Sequence, residues 1–156
     1  MIKIENESSI KKVKKPWGEE FWIAGPHIGT SYALKRININ APYQSSIQFH
    51  EKKEETIYFL KGEGFLHYYK DKIDIKKYKS GAYSSEEIDF IINNLDSIKL
   101  YPSNCFTIKP GIVHSIEART DLSFMESSTL ELEDVFRLND KFGRPDGHIS
   151  SEHDVQ

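Results

Sequence analysis

The chain reads as an antiparallel all-β sandwich or barrel, on three observations. Short apolar and aromatic runs recur at near-regular spacing, Gly- and Pro-containing turns separate them, and a single segment breaks the rhythm with a helical stripe.

The runs are taken in chain order. Trp17 to Ile23 is short and aromatic-rich, and Pro26, Gly29 and Thr30 close it with turn chemistry. Tyr32 to Ile39 is strand-like and stops at Ala41-Pro42. Ile47 to His50, Thr56 to Leu60 and Gly64 to Tyr69 follow, the last two joined by a turn at Lys61 to Gly64. Ile73 to Tyr78 is expected as a further strand after the Asp71-Lys72 turn. Cys105 to Ile108, Val113 to Glu117 and Leu122 to Ser127 complete the set. The exception is Ser84 to Leu95, where Ile88, Ile91, Ile92 and Leu95 fall at i, i+3, i+4 and i+7. Ser84 and Glu87 form a capping-box pair that starts a helix near Ser85. Leu130 to Arg144 is expected as a short helix or ordered arm, and the polar residues after Pro145 as a frayed tail whose His148 and His153 face solvent.

Composition bounds the function. With 156 residues the chain fits one domain, and 38% apolar with 12% aromatic content builds a real core. A net charge of -3 argues against a nucleic-acid surface built on bulk charge. Cys105 is the sole cysteine, which precludes an internal disulfide and suggests a reducing, cytoplasmic compartment. No run approaches the roughly 20 apolar residues that span a bilayer as a helix, so no membrane partner is expected.

The chemistry-bearing residues cluster in two places. Gln48 and His50 lie two apart and leave the same face of a strand. Glu55 opens the next apolar run, and His114 follows the Pro110-Gly111 turn. Together they offer an amide oxygen, two imidazoles and a carboxylate, a donor set suited to one divalent transition metal with positions left open. Glu54 competes with Glu55, since only one of two neighbours can face inward. Zinc is the first choice for N and O ligands without redox chemistry, with iron, manganese, nickel or cobalt as alternatives.

These residues carry a resemblance. His50, Glu55 and Gly62 are spaced as in the first cupin motif, and Pro110-Gly111-x-x-His114 is similar to the core of the second. The chain most resembles the C-terminal isomerase domain of bifunctional (type II) mannose-6-phosphate isomerases. Lys15-Pro16-Trp17-Gly18 is similar to that branch's KPWG opening, Lys35-Arg36 to its VKRI strand, and Ser46-x-Gln48-x-His50 to its S-x-Q-x-H. Glu133-Asp134-Val135-x-Arg137 and Phe142-Gly143-Arg144 resemble its closing EDDIVR and YGR. The nucleotidyltransferase half of those enzymes is absent from this sequence. Residues 70 to 102 are longer than the resemblance predicts, Ala118 replaces a common Asn, and Thr56-Ile57 replaces an aromatic pair.

The resemblance implies a cupin barrel (a double-stranded β-helix, or jelly roll) over residues 13–144, with an insertion about 79–101 that holds one amphipathic helix, an N-terminal arm 1–12 and a tail 145–156. It implies metal ligation by Gln48, His50, Glu55 and His114, and a homodimer. It also implies a small-molecule partner, a sugar or sugar phosphate interconverted between aldose and ketose. Such chemistry needs a base, an electrophile and a cationic clamp. Lys35 or Arg36, of which alternation allows one inward, and Arg144 or Arg137 are the candidate cations; Lys35 and Arg144 are preferred. Glu126 is a candidate base or a carboxylate that orients a ligand histidine, and His67 a barrel-lining or simply buried histidine. A sugar-binding cupin without turnover and a metal-dependent oxygenase are the alternatives, the latter disfavoured by Gln48.

Overall fold

The structure, a computed structural model, describes residues 1–153. Two antiparallel sheets face each other. The first contains β1 (Lys11–Lys15), β2 (Gly18–Ala24), β3 (Ala33–Ile39), β5 (Glu55–Lys61), β8 (Cys105–Ile108) and β10 (Leu122–Ser128), in the order β1-β2-β3-β10-β5-β8. The second contains β4 (Ile47–Phe49), β6 (Gly64–Tyr68), β7 (Asp96–Leu100), β9 (His114–Ala118) and β11 (Phe136–Asn139), in the order β11-β4-β9-β6-β7. Non-sequential neighbours such as β3-β10-β5 close the chain on itself as a barrel-like sandwich.

Alternation assigns the faces. In β3, Ala33, Lys35, Ile37 and Ile39 point inward, and in β5, Glu55, Ile57 and Phe59 do so while Thr56, Tyr58 and Leu60 are exposed. The inward rows divide the interior. Ile37, Ile39, Ile57, Phe59, Leu122 and Phe124 form an apolar end with Trp17, Leu66 and Ile116. Continuing along the same strands, the inward positions become Lys35, Glu55 and Glu126. Thus one end of the barrel is a packed core and the other is charged. Burying ionised groups costs stability unless they are paired, so this charged end is the candidate functional site.

A second core lies outside the second sheet. Phe49, on the opposite face of β4 from Gln48 and His50, stacks on Phe136 at 5.0 Å and meets Tyr78 edge-on at 4.9 Å. Ile73, Ile91 and Val113 complete it beneath two helices, α1 (Ile75–Lys79) and α2 (Ser85–Asn93). Helix α2 starts as the Ser84/Glu87 capping box predicts, with Glu87 N–H donating to Ser84 Oγ at 3.1 Å.

Three expectations are corrected. Ile73 to Tyr78 is not a strand: the Asp74 side chain caps α1 by accepting from Lys77 N–H at 3.0 Å, and Ile75 and Tyr78, three apart, both reach the second core. Leu130 to Arg144 is the ordered arm and not the short helix: it contributes β11, which pairs with β4 through Phe136↔Phe49 and Arg137↔Gln48. The residues after Pro145 are ordered as far as described: Ile149 is buried, and α3 (Ser150–His153) packs near β1. His153 is half-buried against Lys15, with Nε2 3.1 Å from Nζ, rather than solvent-facing. Beyond these, β7 extends the second sheet within the lengthened segment, and the lysine-rich β1 pairs with β2. Among the described residues no helix is long and apolar enough to cross a membrane.

Candidate metal centre

Three elements bring the ligands together. His50 follows β4, Glu55 opens β5 and His114 opens β9, whose Cα pairs across the ladder with Gln48. The turn before His114 is tied to the first element, because Gly111 N–H donates to the His50 carbonyl at 2.7 Å. Gly111 has φ +82°, a left-handed conformation that a side chain disfavours, and a Cβ there would strike the Lys72 side chain. The Pro-Gly sequence is thus what lets the two histidine-bearing segments meet.

The donor atoms of His50, Glu55 and His114 lie within 4.8 Å of one another. The side chains are nearly sealed, with residue exposures of 1%, 3% and 4%. Glu55 Oε1 is 3.1 Å from His114 Nε2 and 3.6 Å from His50 Nε2. The opposite ring nitrogens settle the tautomers. His50 Nδ1 faces the Asp134 carbonyl at 2.6 Å and His114 Nδ1 faces the Ile112 carbonyl at 2.9 Å. A carbonyl only accepts, so both Nδ1 atoms carry hydrogen and both Nε2 lone pairs converge on Glu55. His50 Nε2 is buried with no hydrogen-bond partner. An orphaned imidazole lone pair beside a buried carboxylate is the arrangement a divalent cation satisfies, so the residues fit a metal.

Gln48 lines the same cavity, and its Oε1 accepts from Ser46 Oγ at 2.5 Å. It offers a fourth donor atom, an amide oxygen, in the cavity wall, held by Ser46. Glu54, the competitor of Glu55, is exposed and pairs with Lys109. Of the cation candidates, Lys35 is the inward one, while Arg36 lies outside over the Phe21 ring and pairs with Glu7. Lys35 Nζ donates to Glu20 Oε1 at 3.2 Å and sits 4.4 Å above the Trp22 ring. Arg144 lines the cavity but is engaged, through Nε and NH2 with Asp140, both at 3.0 Å, and through NH1 with Glu152 at 3.2 Å. Arg137 NH1 donates to the backbone carbonyls of Pro145 and Gly147. His67 stays outside the cavity, between Ser97 and Glu117.

Two residues that shape the site escape the sequence reading. Lys53 is 5% exposed, with Nζ 2.9 Å from Glu55 Oε2 and 3.5 Å from Glu126 Oε2. It lies inside a run, HEKKEE, that reads as solvated charge, and in a loop no periodicity marks one of its lysines as buried. The other is Asp134. Its carboxylate accepts the backbone N–H groups of Glu51, Lys52 and Lys53 at 2.9, 2.6 and 2.9 Å, and its carbonyl takes His50 Nδ1–H. One residue therefore fixes the loop between His50 and Glu55 and the ring of His50.

The buried charges perturb one another. Burial alone would raise Glu55, but the Lys53 ammonium beside it holds it well below the ordinary carboxylate range. Burial would lower Lys53, and Glu126 and Glu55 more than offset it, keeping the ammonium charged. Glu126 goes the other way: burial, then the neighbouring Glu55 carboxylate, push it up to about 7. Burial lowers His50, consistent with a neutral, ligand-ready imidazole. Glu20 is held down to about 2 because Lys35, Lys15 and the Trp22 N–H together outweigh its burial.

No family model and no curated protein matches the sequence. Solved structures do match the fold. Ectoine synthase from P. lautus superposes with a TM-score of 0.60 at 11% identity, over 82% of this chain and 78% of that one. The polyketide cyclase RemF from Streptomyces resistomycificus gives 0.63 at 16% identity, over 90% and 88%. The capsular polysaccharide assembling protein CapF from Staphylococcus aureus gives 0.57 at 13% identity, over 84% of this chain and 34% of that one, so this chain spans about a third of CapF. Ectoine synthase and CapF are cupin-superfamily proteins, and at these identities the likeness concerns architecture alone. With its two antiparallel sheets and the histidine–glutamate cluster at their charged end, this chain has the all-β cupin fold.

Proposed function

We propose that this chain is a metal-dependent sugar-phosphate isomerase of the mannose 6-phosphate/fructose 6-phosphate type, serving carbohydrate or polysaccharide biosynthesis. The observation that carries this reading is Glu126, a buried carboxyl raised to about 7 that lines the same cavity as Glu55 and His114. Aldose–ketose interconversion removes the proton at C2, whose electron pair forms the C1=C2 bond of an enediol while the carbonyl pair moves to O1 and takes a proton; the O2 hydroxyl then gives up its proton, C2=O forms, and C1 takes a proton. A carboxyl titrating near neutral pH serves as acceptor in the first step and donor in the second. Lys53 Nζ, beside Glu126, is placed to donate to the oxygen that gains negative charge between the two. A divalent ion held by His50, Glu55, His114 and Gln48, with zinc the first choice, would supply Lewis-acid polarisation of the sugar oxygens. The motif resemblance to type II mannose-6-phosphate isomerases supports the same substrate pair. The reading includes a cytoplasmic homodimer, as the lone cysteine and the resemblance suggest.

The pairing of the cavity cations favours a second reading, a metal-binding cupin that holds a sugar without turning it over. Lys35 is engaged by Glu20, and Arg144 by Asp140 and Glu152. Incubation of metal-loaded protein with mannose 6-phosphate in deuterium oxide decides between them. Isomerisation predicts deuterium at C1 or C2 and formation of fructose 6-phosphate, both abolished by chelation. Sugar binding without exchange would establish the second reading.

A further inference from the structure

Glu152, on α3, is gripped by two cations of the cavity wall. Its Oε1 lies 3.1 Å from Lys15 Nζ and 3.2 Å from Arg144 NH1, and Oε2 lies 3.4 Å from the same NH1. The three side chains are each less than a tenth exposed. Lys15 and Arg144 line the same cavity as Glu55 and His114. Asp140 takes the Nε and NH2 of Arg144, which fixes the guanidinium plane and leaves NH1 turned toward Glu152. Lys15 comes from β1 and Arg144 from the segment after β11, so two distant parts of the chain converge on one carboxylate. Without that carboxylate, the pair is a preformed receptor for an oxyanion in the wall of the cavity.

The element that delivers Glu152 is slight. Helix α3 has four residues, none of them buried, and Ile149 just before it is the apolar anchor. Such a segment opens at low cost compared with a barrel strand. A phosphate dianion carries more charge and more acceptor oxygens than a carboxylate and competes well for the same two donors.

We infer that Lys15 and Arg144 form the subsite for an anionic group of the substrate, a phosphate, and that Glu152 occupies it in cis until substrate displaces it. The inference rests on the proposed function in taking the substrate to be phosphorylated. It makes the C-terminal segment a self-ligand: phosphorylated molecules exchange it for their own charge, and unphosphorylated ones leave it in place.

Inorganic phosphate titrated calorimetrically into the metal-loaded protein tests this without turnover. Where a site is open less than a tenth of the time, removing its internal occupant tightens binding by about tenfold or more. Glu152→Gln is therefore expected to bind phosphate at least about tenfold more tightly than the wild type, and adding Lys15→Gln is expected to abolish the gain. Phosphate bound at the metal would be indifferent to Lys15. Equal phosphate affinity in wild type and Glu152→Gln overturns the inference, as does a gain that survives loss of Lys15. If Glu152→Gln fails to fold, hydrogen exchange of residues 148–153 in the wild type gives the answer. Faster exchange in phosphate than in chloride supports displacement, and unchanged protection refutes it. A tighter-binding Glu152→Gln in a protein that exchanges no sugar protons would sink the isomerase reading and leave the subsite standing.

Discussion

Asp134→Ala isolates the positioning that underlies the metal centre. The substitution removes a carboxylate that accepts three backbone N–H groups of the loop joining His50 to Glu55. Each bond to a charged acceptor contributes about 1.5–3 kcal/mol net. The Lys52 N–H is exposed and takes water instead, so only the part-buried donors of Glu51 and Lys53 are left wanting. Two such bonds give about 3–6 kcal/mol in full, and solvent screening at a partly exposed carboxylate together with relaxation of the loop reduces the loss to about 2–3 kcal/mol. The same loop holds Lys53, and the Asp134 carbonyl orients His50, so the site loosens; outer hydrogen-bonding partners of metal ligands typically contribute about 10–100-fold in affinity. Urea unfolding of chelator-stripped protein reads the first quantity, and zinc titration against a competing chelator reads the second. The pH dependence supplies a sign. Burial would raise Asp134, but the three N–H donors win and keep it below its ordinary 3.8. Its contribution is full above that value and fades as pH falls through the folded-state value, so Asp134→Ala should differ most from wild type near neutrality and least in strong acid. Zinc affinity within twofold of wild type, with an unshifted urea midpoint, would refute this reasoning.

Two further outcomes follow from the buried charges. Glu20 is held down to about 2 against an ordinary 4.5, so its ion pair stabilises fully above pH 4.5 and is lost between there and pH 2; Glu20→Gln should flatten the acid limb of the stability curve by about 3 kcal/mol, read by urea melts from pH 2 to 6. Glu126→Gln, which keeps the shape and loses the proton, should leave metal stoichiometry intact while slowing sugar proton exchange by about 10²-fold or more, and an undiminished rate would remove Glu126 from the chemistry.

What could be read from the sequence divides along physical lines. Strands with an inward row and an outward row were legible because alternation is local, and so were the faces of Gln48 and His50. The capping box fixed α2 at Ser84 for the same reason. Ile73 to Tyr78 misled because its apolar residues suit both periods, and the Asp74 cap decides in favour of a helix. KKVKK hid a strand because its lysines are amphipathic: Val13 is buried, while Lys11 and Lys12 lie over the rings of Trp22 and Phe21. The tail is polar, yet its Glu152 and His153 meet Lys15, a partnership with no trace at short range in the sequence. In the site, the spacing of the motifs picks out the three side chains that converge, His50, Glu55 and His114. The internal pairing of Arg144, and the burial of Lys53 within a charged run, are tertiary facts.

The most direct test of the metal centre is zinc titration into chelator-stripped protein, comparing wild type with His50→Ala under conditions where circular dichroism shows both folded. One ion per chain in the wild type, lost in the variant, is the predicted result. Full stoichiometric binding by folded His50→Ala would contradict the assignment of His50, Glu55 and His114 as the site.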